Sequence, residues 1–593
     1  MHDDGYVTVA AETQSVDFPV TLGSYDARGL TALYSYDLCV FRMDPRLVGP
    51  AQLVYSTYLG GRGPYDFVRA MTVDQQGVVS LAGGTDSYDF PVTGSAYQQK
   101  YNTGGYDGVF VQLDPSAKGL AQLKYSSYLG GYGQDHVGCM LALGDGSYYL
   151  GGGTSSPNFP VTPGAYSGAL AGGRDAFVVR FDPRLSGSAQ VQYGTLLGGT
   201  RDEDAIAMDV DALGRIALAG ATDSADFPTT SGARDRILSG SGDVFVAQLD
   251  TNQSGARQLA YASYLGGDGF DTVTGLHSDR LGRAVSLVGV TDSTNYPTTP
   301  GSIRSTFGGV RDGFLTVVEP GAVASAQLRY STYLGGKSDD AIWGMTVDPA
   351  GRLIVGGSTA SSDLPTTVGA YSRTYLGNGD VFVMRIDPFA PPAGQLDYST
   401  YLGGSVSVDF LSALSVDRSQ TLFAVGLTYS SPTPFPTTTG AFARKTAGNL
   451  DFFVCRLDMG IPMFADRHRL LTRGAGVQEL TVQAGRQHAG LTFQIFGALS
   501  TNPGVTIDGV TIPLNPDAYT RVALSGTNSP TWTGFRGTLD ANGEARASFR
   551  LPPDLISVPR ITLYHALAVF DSAGKVVMAS NAVPLEIGPV ETR

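Results

Sequence analysis

Cysteine, long apolar runs and basic clusters are all scarce in this chain, and each scarcity removes a class of protein. The three cysteines, Cys39, Cys139 and Cys455, are far apart among 593 residues. They offer neither a disulfide framework nor a Cys-x-x-Cys metal site, and buried, inert thiols are expected. No stretch approaches the roughly eighteen consecutive apolar residues of a membrane span, and the opening Met-His-Asp-Asp-Gly is unlike an export signal. Charged residues make up only 16%, with a formal charge of −14 and a pI near 4.9. No run of lysine or arginine alternates with aromatics, so nucleic acid is not an expected partner.

Glycine is plentiful at 78 residues, and tyrosine and phenylalanine far outnumber tryptophan. That balance suits many short strands joined by tight turns, with no long helices. The length exceeds what one hydrophobic core serves, so at least two domains are expected.

Internal repetition decides the architecture. Tyr-Ser-Thr-Tyr-Leu-Gly-Gly or a close variant begins at Tyr55, Tyr125, Tyr193, Tyr261, Tyr330 and Tyr398, at spacings of 70, 68, 68, 69 and 68. Phe-Pro-like pairs at Phe18, Phe90, Phe159, Phe227, Tyr296, Leu364 and Phe435 mark seven units. An aspartate leading an apolar run marks the same seven, at Asp37, Asp107, Asp175, Asp243, Asp312, Asp380 and Asp451.

Each unit reads as four short antiparallel strands, exemplified by residues 67–73, 78–83, 108–113 and 53–59. In the last, Leu53, Tyr55, Thr57 and Leu59 share one face. A four-stranded repeat of this length predicts an all-β fold: a seven-bladed β-propeller over residues 1–460, each blade burying its faces against its neighbours. From about Gly460 the repeat stops, and residues 478–482, 491–496, 534–539, 545–551, 561–570 and 576–587 alternate as strands. Residues 461–593 are therefore expected to form a small β-sandwich.

The phrases Tyr-Ser-Thr-Tyr-Leu-Gly-Gly, Val-Asp-x-x-Gly, Gly-x-Thr-x-Ser, Phe-Pro-x-Thr and Gly-Ala-Tyr resemble the SBBP β-propeller repeat of bacterial secreted and surface proteins, over about residues 5 to 458. The resemblance implies a propeller in an envelope or extracellular setting and no common reaction. The C-terminal phrases at Gly537 and Ala579 are similar to terminal modules on other secreted bacterial repeat proteins.

Inner strands, near Val73, Leu143, Val210, Leu276, Val347 and Val416, number six, as do the outer Tyr-Ser-Thr-Tyr strands. The second and third strands number seven. One outer and one inner strand are thus missing, consecutive in the repeat, which predicts that Met1 is an internal or mis-assigned start. Alternatively, a segment around residues 463–469 fills the gap.

The carboxylates shortly after each Leu-Gly-Gly, Asp66, Asp135, Asp204, Asp271, Asp340 and Asp409, are the candidate metal ligands. A ring of them near a central channel would offer oxygen to a hard cation such as calcium. The plainer reading has each side chain capping its own turn through backbone N–H groups. The Val-Asp-x-x-Gly turns at Asp74, Asp211, Asp348 and Asp417 lack the EF-hand pattern and read as hairpin turns. The histidines His2, His136, His277, His468, His488 and His565 form no His-Glu-x-x-His pair, and no serine sits in a Gly-x-Ser-x-Gly elbow.

With no catalytic constellation in sequence, a non-catalytic secreted or surface scaffold is expected, presenting loops to a protein or glycan. The loops entering the inner strands and those between second and third strands share one side. A propeller lyase or glycosidase acting on a carbohydrate polymer is the competing class, and a calcium-stabilised structural propeller a third. One asymmetric cluster of histidine, carboxylates and arginine at the channel mouth would favour catalysis, and uniform repetition would favour binding.

Overall fold

The computed structural model describes residues 5–29, 35–348, 351–367, 370–405, 408–417, 421–429, 435–438, 440–446, 450–459, 463–465, 469–471, 476–484, 488–501, 504–508, 510–541, 543–551, 561–580 and 582–588. His2 and His468 lie outside them.

The chain is nearly all β-strand, with one α-helix of two turns, Ala518–Ser525, among the described residues. Seven antiparallel sheets follow one another through the repeat region, five of four strands and the first and last of three. In the second sheet the order is Asp66–Val73, Val79–Thr85, Asp107–Leu113 and Leu123–Leu129. From the second sheet on, each inner strand packs against its counterpart in the next sheet, Asp66–Val73 against Asp135–Ala142, then Glu203–Val210, Asp271–Ser278, Asp340–Val347 and Asp409–Val416. The arrangement is propeller-like.

Every inner strand carries a bulge, between Val68 and Ala70 in the second sheet and at the matching place in each of the others. A bulge bends its strand and re-aims the extra residue. Those residues differ from unit to unit, and they include an exposed Arg69 and Trp343.

The outer strands are more deeply buried than two-residue alternation alone predicts, for Tyr55 to Leu59 are all buried. The loop between second and third strands lies along them: Tyr58 N donates to Asp26 O at 3.1 Å, and Thr93 N to Ser126 O at 3.0 Å one unit later. Outer edges are thereby covered, which protects them from pairing with other chains. The Phe-Pro rings sit beneath these loops: Phe90, Phe159, Phe227, Tyr296, Leu364 and Phe435 are buried, and Phe227 stacks on Phe245 at 4.8 Å.

Successive sheets share apolar clusters, such as that joining Phe110, Tyr125 and Leu129 to Leu150, Phe177 and Phe181. The first and last sheets also touch. Val7, Val9 and Phe41 pack with Phe423, Val425 and Val454, Phe41 lies 6.3 Å from Phe452, and Gly49 N donates to Gly440 O at 2.8 Å. The first sheet lacks an inner strand and the last an outer one among the described residues. The described parts of residues 463–469 do not fill that gap: Met463–Ala465 pairs with Val477–Gln483 and Arg469–Leu471 with Val583–Gly588, both in the C-terminal region.

That region has two main sheets, one built on Val477–Gln483 and Glu544–Arg550, the other on Thr492–Ala498, Ile561–Phe570 and Val583–Gly588. They share one core, with Leu480, Val482 and Phe549 meeting Ile495, Leu567 and Leu585. The segment expected as one strand over 576–587 is two, Val576–Ala579 and Val583–Gly588, pairing along different stretches of Ile561–Phe570. The helix, opened by an Asp517–Thr520 capping box, and the hairpin of Val505–Ile507 with Val510–Ile512 were not expected. The three cysteines are free, and burial pushes Cys39 and Cys139 up to about 12 and Cys455 to about 11, so these thiols stay protonated.

Candidate functional site at the inner-strand mouth

The acid that opens each inner strand caps the glycine turn before it. Gly61 N donates to Asp66 Oδ2 at 2.9 Å, and Gly131, Gly267, Gly336 and Gly404 do the same to Asp135, Asp271, Asp340 and Asp409 at 2.7–2.8 Å. A serine after the second strand completes the turn: Ser87 Oγ donates to Asp66 at 3.0 Å and accepts from Gly63 N at 2.8 Å. Thr85 and Thr154 also donate to Asp66 and Asp135.

Asp204 is the exception and corrects the expected set. In that unit Glu203 takes the capping position, accepting from Gly199 N at 2.8 Å and Thr222 Oγ1 at 2.6 Å. The acid falls four residues after the second glycine in Asp135, Glu203, Asp271 and Asp340, and five after it in Asp66 and Asp409. A count of five in the fourth unit lands one residue too far, on the opposite face of the strand. The capping acids do not line a channel as an exposed ring, for all six are buried. Among the described residues no three His, Cys, Asp or Glu side chains gather to hold a metal.

Each capping acid faces the aspartate that opens the third strand of the preceding unit, giving the pairs Asp37–Asp66, Asp107–Asp135, Asp175–Glu203, Asp243–Asp271, Asp312–Asp340 and Asp380–Asp409 around the first glycine of each Leu-Gly-Gly. Burial, with the facing carboxylate adding to it, pushes Asp37, Asp107 and Asp243 up to about 7 and Asp312 and Asp380 to about 6.

The residue after the capping acid points the other way and varies: Phe67, His136, Asp204, Thr272, Ala341 and Phe410. Here the units stop resembling one another. His136 Nε2 lies 3.3 Å from Asp204 Oδ1, and an Arg174 Nη lies 3.0 Å from Asp204 Oδ2 and 3.8 Å from Asp202. Gly153 makes the room, since a β-carbon there would collide with Asp204 Oδ1. Burial, helped by the Arg174 and Arg69 charges, pushes His136 down to about 4. Burial raises Asp204 to about 6 against the pull of Arg174. Near neutral pH the cluster is a neutral imidazole beside a carboxylate–guanidinium pair.

Aromatic rings continue from it through the earlier units. Phe67 is 6.4 Å from His136 and edge-on to Tyr106 at 5.5 Å, while Tyr65 is 4.9 Å from Tyr36 and 6.4 Å from Tyr106. Arg69 covers the Phe67 ring at 4.6 Å and pairs with Glu12 at 2.9 Å. Tyr65 is 40% exposed, and Tyr132, in the loop before His136, is 69% exposed, so ring faces are open to solvent. The matching place in the sixth unit holds only a bidentate Arg311–Asp339 pair, at 2.7 and 2.8 Å. The arrangement can stack an apolar ring face on tyrosine while His136, Asp204 and Arg174 meet hydroxyls or carboxylates.

His136 and Asp204 were visible in sequence, but not as partners. Arg174, Tyr65 and Tyr106 were missed, although the variable position after each capping acid was a readable signal.

No family model matches the chain, and no curated protein matches it. Among solved structures, an α-L-arabinofuranosidase from Lactobacillus brevis aligns with 54% of this chain and 88% of its own at 10% identity and a TM-score of 0.24. Two structures of extracellular domains from B. thetaiotaomicron, described as a one-component and a hybrid two-component system, each cover 94% of this chain and 86% of their own. Their identities are 7% and 8%, with TM-scores of 0.22 and 0.20. Likenesses this distant carry no weight for function.

Proposed function

We propose that the chain is a secreted or cell-surface scaffold, a seven-bladed propeller of the SBBP-repeat type with a C-terminal β-sandwich, that binds a glycan at the inner-strand mouth. Seven consecutive sheets, inner strands packed in sequence and contact between the first and last sheets support the ring. The observation that carries the binding site is the break in repetition, where the aromatic run from Tyr36 to Phe67 ends on His136, Asp204 and Arg174. Sugars bind by stacking apolar ring faces on aromatics with a few placed polar groups alongside.

The same cluster favours catalysis as a second reading, a lyase or glycosidase on a carbohydrate polymer, because it gathers one histidine, carboxylates and an arginine. Binding leads because the Tyr65 and Tyr132 ring faces are open to solvent, while His136 and Asp204 make no hydrogen bond with each other, Asp204 Oδ1 accepting none.

A glycan array on the full chain, followed by calorimetry on the best ligand, tests both. Binding that falls at least about tenfold in Tyr65→Ala and Tyr132→Ala, with no polymer cleaved, supports the scaffold. Cleavage of a polymer that is abolished in His136→Ala establishes the enzyme instead. Absence of any glycan ligand removes both readings of this site.

A further inference from the structure

Two carboxylates buried side by side cannot both stay ionised without a compensating charge. The pair at each sheet interface poses that problem six times. Asp107 and Asp135 show it: both are fully buried, and a β-carbon placed on Gly130 would lie 3.0 Å from Asp107 Oδ1 and 2.6 Å from Asp135 Oδ2. The two oxygens thus converge on one point. At Gly60 the corresponding distances, to Asp37 and Asp66, are both 2.7 Å.

The oxygens are not equivalent. Asp107 Oδ2 accepts from Asn102 N at 2.8 Å and Gln98 Nε2 at 3.1 Å, while its Oδ1, aimed at Asp135, accepts nothing. Oδ1 of Asp37, Asp243, Asp312 and Asp380 is likewise without a hydrogen bond. An orphaned, fully buried carboxylate oxygen recurring at one structural position points to a missing partner.

One unit shows what kind of partner. Each outer strand is bonded along its length by a residue of the loop before it, and at that position stand Asp26, Gln98, Ser167, Asp235, Arg304 and Ser372. Arg304 alone is basic. Its Nη1 donates to Gly335 O at 2.6 Å and Gly336 O at 2.7 Å, the glycines beside the Asp312–Asp340 pair, and its charge partly offsets the burial that raises both acids. A guanidinium there is a cation held by two backbone carbonyls near two carboxylates, although Asp312 Oδ1 accepts no hydrogen bond from it. In the other units the same carboxylates lack it.

We propose that four of the other interfaces, Asp37–Asp66, Asp107–Asp135, Asp243–Asp271 and Asp380–Asp409, bind hard divalent cations of the calcium class, each bridging the third-strand aspartate of one unit and the capping acid of the next. At the Asp175–Glu203 interface Asp175 Oδ1 already accepts from Gly172 N at 3.3 Å. Paired carboxylates with flanking glycine carbonyls form an all-oxygen donor set of the kind calcium takes, completed by water. The four pairs hold eight of the chain's 54 acidic side chains, so one divalent cation at each would cancel eight of the fourteen net negative charges. The sites are separate from whatever the inner-strand mouth binds.

The test uses the full chain stripped with EGTA and dialysed at pH 8. Calcium chloride is titrated by calorimetry, and terbium luminescence, sensitised by Tyr128 and Tyr264 near the pairs, reports occupancy independently of stability. Saturable binding is expected, with a melting temperature several degrees higher in calcium than in EGTA. Stoichiometry should fall by about one cation in Asp107→Asn and rise by about one in Arg304→Ser. A chain that binds neither ion and melts alike in both buffers overturns the proposal, and a rise in melting for Asp107→Asn would then assign a shared proton to the pair. Binding of unchanged stoichiometry in an Asp107→Asn, Asp243→Asn double variant places the cations elsewhere and overturns it equally.

Discussion

The Tyr125 hydroxyl donates to Gln190 Oε1 at 2.9 Å, joining the outer strand of one unit to the turn that precedes the outer strand of the next. The same bond links Tyr55 to Gln122, Tyr193 to Gln258, Tyr261 to Gln327 and Tyr330 to Gln395, at 2.9–3.1 Å. Each glutamine also reaches back, as Gln190 Nε2 does to Ser95 O at 3.0 Å. The first tyrosine of the repeated phrase therefore acts between units, and the second within its own, Tyr128 donating to Ser87 O at 2.7 Å.

Tyr125→Phe removes the only donor this bond has and leaves Gln190 Oε1 in a buried site. A loss of about 1–3 kcal/mol is expected, read by urea denaturation of the full chain, with Tyr88→Phe on the exposed surface as a near-neutral control. Equal stability of the two variants would remove the inter-unit role.

Gly130→Ala is expected to cost about 2–4 kcal/mol, because the new methyl would press on both Asp107 and Asp135. Gly144→Ala meets nothing within 4 Å and should differ from the parent by well under about 1 kcal/mol. Thermal unfolding of the two variants side by side checks the contrast.

The acid pairs give the metal-free chain an unusual pH dependence. Asp37, Asp107 and Asp243 rise from 3.8 when unfolded to about 7 when folded, so the folded state binds more protons between those values. Their contribution is therefore fully present below about pH 4 and is lost as pH rises through about 7. Melting temperatures in EGTA should decline across that window, and calcium should flatten the decline. A metal-free chain that gains stability over the same range would contradict the assignment.

The C-terminal region should respond in the opposite sense. His565 is fully buried, its Nε2 lies 2.7 Å from the Tyr519 hydroxyl, and burial pushes it from 6.5 down to about 3. Stability held by the neutral ring is complete above about 6.5 and lost as pH falls toward 3. Trp532, 3.4 Å from the same hydroxyl, reports it by fluorescence once Trp343→Phe has removed the chain's other tryptophan. Acid unfolding seen by Trp532 should shift to lower pH in His565→Gln.

The strands of the repeat were legible because three phrases kept one register, each tied to a structural duty. The Leu-Gly-Gly turn needs its capping acid, the Phe-Pro ring fills a pocket under the loop, and the outer tyrosines reach fixed acceptors. Asp204 was misread for a local reason: loop length after the glycines varies by one residue, and only hydrogen bonding shows that Glu203 does the capping. Gln122 and its equivalents were overlooked because short 3-10 turns such as Gly119–Gln122 carry no periodic signal. The mouth cluster was out of reach because His136, Arg174 and Asp204 come from three separate strands and loops, and only the stacking of inner strands brings them together.

The joint between the first and last sheets differs from those that a tyrosine–glutamine bond spans. Five joints, from the first and second sheets to the fifth and sixth, are tied by tyrosine–glutamine bonds, whereas at this seam rings such as Phe41 and Phe452 carry much of the contact. Under heat or denaturant this contact is a place for the first and last sheets to part, and the amides of Val7–Thr13 and Leu450–Asp458 would then be the first to trade their protons with solvent.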